Sequence, residues 1–186
     1  GRYHEATHVT FRQFMNGALK GELDQPMPTI GDWTNHLGTL FPDARLKRFI
    51  EMRGADGGPW GRICALPAFW VGLLYDESAL EEALELTRSW SLDDVNALRD
   101  TTPRDGLNVK INGQSLRDVG REVLGISRRG LVNRACLNSE GNDESHFLAP
   151  LEETIARGTT LAEEMLALYN GRWNGSVDPV FEDYAY

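Results

Sequence analysis

The longest uncharged stretch of the chain, Ile63 to Tyr75, runs for 13 residues and includes Leu66, Phe69, Trp70, Val71, Leu73 and Leu74. A helix needs roughly 20 apolar residues to cross a bilayer, so this run is too short for a membrane span. It reads instead as a buried helix, with Pro59 suited to its first turn and Pro67 bending it. At 186 residues, with 41% hydrophobic and 25% charged residues, a single domain can bury a serviceable core. Nothing in the composition calls for a second domain. A net charge of −9 and a pI near 4.9 disfavour nucleic acid and anionic membrane surfaces, because both are bound through clustered Lys and Arg.

Most of the remaining signals are helical. The first residues read as the end of a strand or hairpin, and Thr10 then caps a short helix from Phe11 to Asn16 that stops at Gly17. A loop with Pro26 and Pro28 follows. Thr29 and Asp32 form a capping box with a shortened acid and open a helix through His36 and Leu40, with Pro42 just beyond it. Residues 77 to 89 place Leu80, Ala83, Leu84 and Leu86 near one face, and Ser91 with Asp94 starts another amphipathic helix. Asn112-Gly113 is a turn signal. Ser115 then caps a long helical pattern through Leu116, Val119, Val123, Leu124 and Leu131. A polar loop over 138 to 145 leads to helices over 146 to 157 and 160 to 170, the second capped by Thr160 with Glu163 and closed by Asn170-Gly171. Trp173 and Phe181 are expected to pin the tail. The sum is a helix-rich α+β chain with a few antiparallel strands.

Between the second helix and the apolar run, Arg45-Leu46-Lys47-Arg48-Phe49-Ile50-Glu51-Met52-Arg53 reads as one strand entering the side-chain-poor loop Gly54-Ala55-Asp56-Gly57-Gly58-Pro59-Trp60. Alternate residues of a strand share a face, which places Glu51 and Arg53 about 7 Å apart with Lys47 behind them. A carboxylate beside a guanidinium suits a divalent cation next to a phosphate: Mg²⁺ takes hard oxygens and shares phosphate ligands, and the guanidinium fork neutralises phosphoryl charge. The same pattern also fits a ladder of charges on a solvated sheet face.

Other chemistries find little support. The two cysteines, Cys64 and Cys136, give no disulfide framework, a reducing compartment is the default, and Cys64 reads as a small buried side chain. His4, His8, His36 and His146 show no metal-ligand spacing, which makes His36 structural rather than catalytic. No nucleophile elbow, phosphate-binding loop or dinucleotide fingerprint is present. Arg117, Arg121, Arg128, Arg129 and Arg134 could form a basic docking stripe, but interleaved Asp118 and Glu122 read as an ordinary charged surface.

Several segments carry a resemblance: Thr29 to Leu37, Leu40 to Arg48, Ile50 to Trp60, Ile63 to Asp76, and the tail Tyr169-Asn170-Gly171-Arg172-Trp173 with Ser176-Val177-Asp178-Pro179-Val180-Phe181. Together they resemble glutamate–cysteine ligase of the plant and proteobacterial type over nearly the whole chain. The shorter element Glu51-x-Arg53-x-x-Asp56 is also similar to the wider carboxylate–amine ligase group related to glutamine synthetase. The resemblance implies a single C-terminal portion of a glutamine-synthetase-like catalytic domain over 1–186, with further metal-binding carboxylates and nucleotide contacts upstream. The piece by itself is then expected to be inactive.

The implied reaction joins the γ-carboxylate of glutamate to the amine of cysteine through γ-glutamyl phosphate, with ATP and Mg²⁺. This is the first step of glutathione biosynthesis. In that setting Glu51 is the metal ligand, and Arg53 is catalytic and faces the ATP phosphates. Closeness to the motif strand adds further candidates: Lys47, on the same face, to assist catalysis with substrate anions, Arg45 and Trp60 for the substrate pocket, and Asp56 either to contact substrate or to orient the loop by hydrogen bonds to backbone. The expected partners are small molecules, without nucleic acid or membrane, in a monomer or homodimer of the full-length enzyme. A related ligase with another amine acceptor, or a non-catalytic short product, is the alternative. Plant members place a redox-sensitive cysteine at the position of Cys64 and a second cysteine pair where this chain has Ala6 and Gly21. That departure favours a bacterial, cytoplasmic protein over thiol regulation of the plant kind, with the plastid as the location for a plant chain.

Overall fold

Two local caps start the helices of the N-terminal segment. In the computed structural model, which describes residues 3–23 and 27–185, Gln13 N–H donates to Thr10 Oγ1 (3.3 Å) while the Gln13 side chain accepts from Thr10 N–H (2.9 Å). This reciprocal box opens α1, Phe11–Met15. Gly17 ends it at φ 88°, a conformation that favours glycine. Thr29 and Asp32 form the same box, with Asp32 Oδ2 accepting from Thr29 N–H at 2.7 Å, and open α2, Ile30–Gly38. Among the described residues the strand end expected at the start is not formed: residues 3–10 hold a turn closed by Val9 N–H on Ala6 O (3.0 Å). Pro26 of the expected loop lies outside the described residues.

The single strand expected over 45–53 is instead a hairpin. β1, Ala44–Leu46, pairs antiparallel with β2, Ile50–Met52, in the register Ala44↔Met52, Arg45↔Glu51, Leu46↔Ile50. Lys47 N–H donates to Phe49 O (2.8 Å) and turns the chain back. The physical reason is visible in the residues. Phe49 and Ile50 are adjacent apolar residues that break the period of two, and folding back brings Arg45 against Glu51.

The chain divides into two units, Gly1–Ala55 and Asp56–Tyr186. In the second unit α3, Trp60–Leu74, runs unbroken through Pro67 and is followed by α4, Glu77–Thr87, and α5, Leu92–Asp105. Asp76 caps α4, and Ser91 with Asp94 forms the capping box of α5. Asn112 and Gly113, both at positive φ, turn β3, Lys110–Ile111, into β4, Gln114–Ser115. Ser115 then caps α6, Leu116–Arg134. The helix expected from 146 begins earlier as a 3-10 turn over Glu144–Leu148 and continues as α7, Ala149–Arg157. α8, Leu161–Asn170, carries the Thr160–Glu163 box, and α9, Val180–Asp183, closes the tail. The helix-rich α+β class is therefore observed. No single helix among the described residues is long and apolar enough to cross a membrane.

The apolar run packs as the centre of this unit. Ala68, Leu124, Leu131 and Leu148 form one buried cluster with Phe69, Val71, Leu151 and Ile155 against it, while Leu73, Ala79 and Ile126 form a second. α3 and α6 approach closely enough that a Cβ on Gly130 would lie 1.9 Å from Gly72 O, and one on Gly72 would lie 2.3 Å from Ser127 O. Ser127, fully buried, donates its hydroxyl to Phe69 O at 2.9 Å, so this crossing leaves no orphaned polar atom there. The long apolar run is buried along one side only: Trp60 and Tyr75, near its ends, are exposed and Cys64 is half-buried, less covered than expected.

The arginine stripe of α6 does more than face water. Arg128 forks onto Glu152 (Nε–Oε1 2.8 Å, Nη2–Oε2 2.7 Å) and reaches Ser145 Oγ. Arg117 donates to Ile155 O (2.7 Å) and to Ala156 O at the C-terminus of α7, where the helix dipole favours a cation. Trp173 is buried and donates Nε1–H to Asp183, as expected for a tail anchor, whereas Phe181 is exposed and does not pin anything.

The crossing yields a contrast in stability. Gly130→Ala should destabilise by about 2 kcal/mol or more, because overpacking against backbone outweighs the roughly 1 kcal/mol gain in helix propensity. Gly125→Ala, on the same helix but meeting only Arg129 Nη1 at 3.6 Å, should stabilise by about 0.5–1 kcal/mol. Denaturant midpoints of the two variants in the full-length protein check this, and equal shifts would contradict the crossing.

Candidate active site

The hairpin register sets Arg45 across from Glu51, and the turn through Lys47 returns a third charge to the same carboxylate. Glu51 Oε2 accepts from Arg45 Nε at 2.8 Å and has Arg45 Nη2 at 2.8 Å, while Lys47 Nζ lies 3.9 Å away. Its other oxygen, Oε1, accepts from Arg53 Nη1 at 3.0 Å. Three cations thus surround one carboxylate, leaving two positive charges in excess on a chain whose net charge is −9. The Arg45 and Arg53 side chains and Glu51 are each under a third exposed, and Lys47 is about half exposed. Arg53 also lies over the ring of Phe41, with 5.1 Å from Cζ to the centroid, and its N–H donates to Asp43 O at 2.7 Å.

The Glu51 carboxyl is held below its ordinary value of 4.5, first by the hydrogen bond from Arg45 and then by the charges of Arg45, Lys47 and Arg53, against an opposing desolvation effect. It is an anion whose role in this arrangement is to organise cations. A phosphoryl group presents oxygens that such cations can take over through charge-assisted hydrogen bonds. A metal ion is served less well. Both Glu51 oxygens face nitrogen donors, and among the described residues no group of three or more His, Cys, Asp or Glu is placed to hold a metal. The donor set present here does not make a metal centre by itself.

Sequence reasoning grouped six residues, and the structure brings four of them together. Arg45, Lys47, Glu51 and Arg53 form the cluster, with Arg45 spent on Glu51 rather than held open for a substrate. Asp56 and Trp60 belong to the second unit, where Asp56 is exposed and Trp60, 68% exposed, opens α3. Phe41 was missed. An aromatic residue just before Pro42, at the entry to a strand full of cations, was the available signal. His36 stacks on Phe11 (centroids 4.1 Å apart, planes at 13°) beside a cavity of about 350 Å³ lined by Phe14 and Leu19, which fits the structural role expected for it.

A groove in the second unit, near Arg104, Asp105, Lys110 and Glu163, offers less chemistry. Arg104 is paired with Asp105 at 2.7 Å, and Glu163 is engaged in the cap of α8.

The chain belongs to glutamate-cysteine ligase family 2 (GCS2), whose sequence model matches residues 4–183. It is 48% identical over 189 residues to the chloroplastic glutamate–cysteine ligase of Brassica juncea, covering all of this chain and 35% of that relative. It is 47% identical over 188 residues to the Arabidopsis thaliana protein of the same name, covering 34% of it. With the Solanum lycopersicum protein the identity is 45% over 185 residues, again 34% of the relative's length. The chain spans about a third of the length of the curated relatives it matches.

The cluster has a measurable pH signature. A carboxyl with a depressed native value contributes stability that is present above the unfolded value near 4.5 and lost as pH falls through the lower native value. Arg45→Gln removes the main cause, so the Glu51 titration followed by carboxyl NMR in the full-length protein should move up toward the ordinary value. Lys47→Gln should move it less. A titration indifferent to Arg45→Gln would sink this account of the cluster.

Proposed function

We propose that the full-length chain containing this segment joins glutamate to cysteine at the expense of ATP, forming γ-glutamylcysteine through γ-glutamyl phosphate. The observation that carries the reading is the surplus of positive charge held on Glu51 by one hairpin, in a member of this ligase family. A γ-carboxylate is a poor electrophile, and phosphorylating it turns an oxygen into a leaving group that the cysteine amine can displace. The transfer places charge on phosphoryl oxygens, and stabilising that charge by fixed donors is the main catalytic demand.

In this proposal Arg53 donates to the moving phosphoryl group, Lys47 adds a mobile point charge, and Arg45 keeps Glu51 in place. Mg²⁺, when bound, would supply charge neutralisation, and of this cluster only Glu51 could offer it an oxygen ligand. Asp56 and Trp60 remain proposed substrate contacts, the exposed indole offering a flat apolar surface. The partners are glutamate, cysteine and ATP, in a monomer or homodimer. The relatives are named chloroplastic. The corresponding location for a plant chain is the plastid, and the cytoplasm is the location for a bacterial one.

The test is ADP release by the full-length protein with Mg-ATP and glutamate, comparing cysteine with other amino acids as acceptor. Cysteine-dependent turnover is expected, with the 186-residue segment silent in parallel. Arg53→Gln should lower kcat by about 100-fold or more, in line with the loss of one preorganised charge-stabilising donor. Turnover without preference for cysteine overturns the substrate assignment, and full activity in Arg53→Gln overturns its role.

A further inference from the structure

We infer that Phe41 is a positioning residue that fixes the guanidinium of Arg53 for phosphoryl oxygens. The catalytic meaning of this inference rests on the proposed function. The geometry is independent of it. Arg53 Cζ lies 5.1 Å from the centre of the Phe41 ring, inside the roughly 6 Å range of a cation–π contact. The two side chains are tied at the backbone as well: Asp43, two residues after Phe41, accepts the Arg53 N–H at 2.7 Å. Ring and guanidinium are therefore carried by segments that cannot drift apart without breaking that bond.

Consider the guanidinium with and without the ring. Nη1 donates to Glu51 Oε1 at 3.0 Å, and among the described residues this is its one side-chain hydrogen bond. A single bond leaves the plane free to rotate and to settle two-pronged onto Glu51, which is the usual fate of an arginine beside a carboxylate. The ring of Phe41 gives the plane a second point of support. Nε and Nη2 then stay uncommitted to side chains, which are the two donors a fork needs to grip two oxygens of one phosphoryl group. The ring touches neither substrate nor metal in this scheme, and it acts only through Arg53.

A double-mutant cycle in the full-length protein tests this. Phe41→Leu should lower kcat by about two- to five-fold, the worth of an exposed cation–π contact, with KM for glutamate and cysteine within about two-fold of the parent. Phe41→Trp should restore the rate, since indole is the better π face. In an Arg53→Gln background Phe41→Leu should cost nothing more. Phe41→Met, which keeps bulk without a π face, runs in parallel so that a folding defect in one variant does not decide the matter. Affinity for inorganic tripolyphosphate, measured by calorimetry on the same variants, gives a readout that needs no turnover.

An equal cost of Phe41→Leu with and without Arg53, or no recovery in Phe41→Trp, overturns the inference. A preserved cycle in tripolyphosphate affinity without any cysteine-dependent turnover supports it while removing the proposed function. Turnover with an additive cycle does the reverse.

Discussion

The second unit depends on how closely α3 and α6 approach one another. Gly72 and Gly130 face each other where no Cβ fits, and the backbone oxygen of one helix lies in the space the other's side chain would need. That approach lets Leu131 and Ile126 of α6 share clusters with Ala68 and Leu73 of α3. It also brings the Ser127 hydroxyl onto the Phe69 carbonyl. Two further helices attach to this pair: α4 contributes Ala79, and α7 is drawn in by Leu151, Ile155 and the Arg128–Glu152 fork. The run is buried along the stripe Ala65, Ala68, Gly72 and Leu73, and a tight crossing gives that stripe close-packed neighbours within a small unit.

The hairpin of the first unit is organised by charge rather than by burial. It concentrates cations on a protein that is acidic overall, and it can do so because Glu51 sits among them and offsets part of their mutual repulsion. A local positive site on a negative body attracts a polyanion over roughly a Debye length of about 8–10 Å and little farther. The phosphate capture proposed for this place would rely on the site itself rather than on steering by the whole molecule.

What was legible in the sequence follows from range. Thr10, Thr29, Ser91, Ser115 and Thr160 were all readable as caps, because a cap involves a side chain and a backbone group three residues away. The Asn112-Gly113 turn was readable for the same reason. The hairpin at Lys47–Phe49 was not, since the alternation of charges suggested one strand and only the adjacent Phe49 and Ile50 spoke against it. Pairings between distant segments, such as Arg128 with Glu152 or Arg117 with the Ile155 carbonyl, left no local trace. Of the site, residue types and neighbourhood were readable. Which cation holds the carboxylate and which stays open was not. The proposed reaction rests on resemblance, because a fold and a charge cluster are compatible with many chemistries.

The contacts rank the three cations. Arg45 places two nitrogens at 2.8 Å from one oxygen of Glu51 and is under a quarter exposed, so releasing it means breaking both contacts at once. Lys47 is 3.9 Å away and half exposed, a contact that contributes little in water. Arg53 is intermediate, with one hydrogen bond to Glu51, one aromatic face beneath it and a backbone tie through Asp43. A group that must hold its place before a ligand arrives and still have donors left for it needs partial engagement. Full engagement makes a structural cation, and too little leaves a solvated one whose ordering must be charged to binding. Of the three, Arg53 is the one whose contacts meet both conditions, which is why the proposed function gives it the phosphoryl contact and leaves Arg45 to hold Glu51.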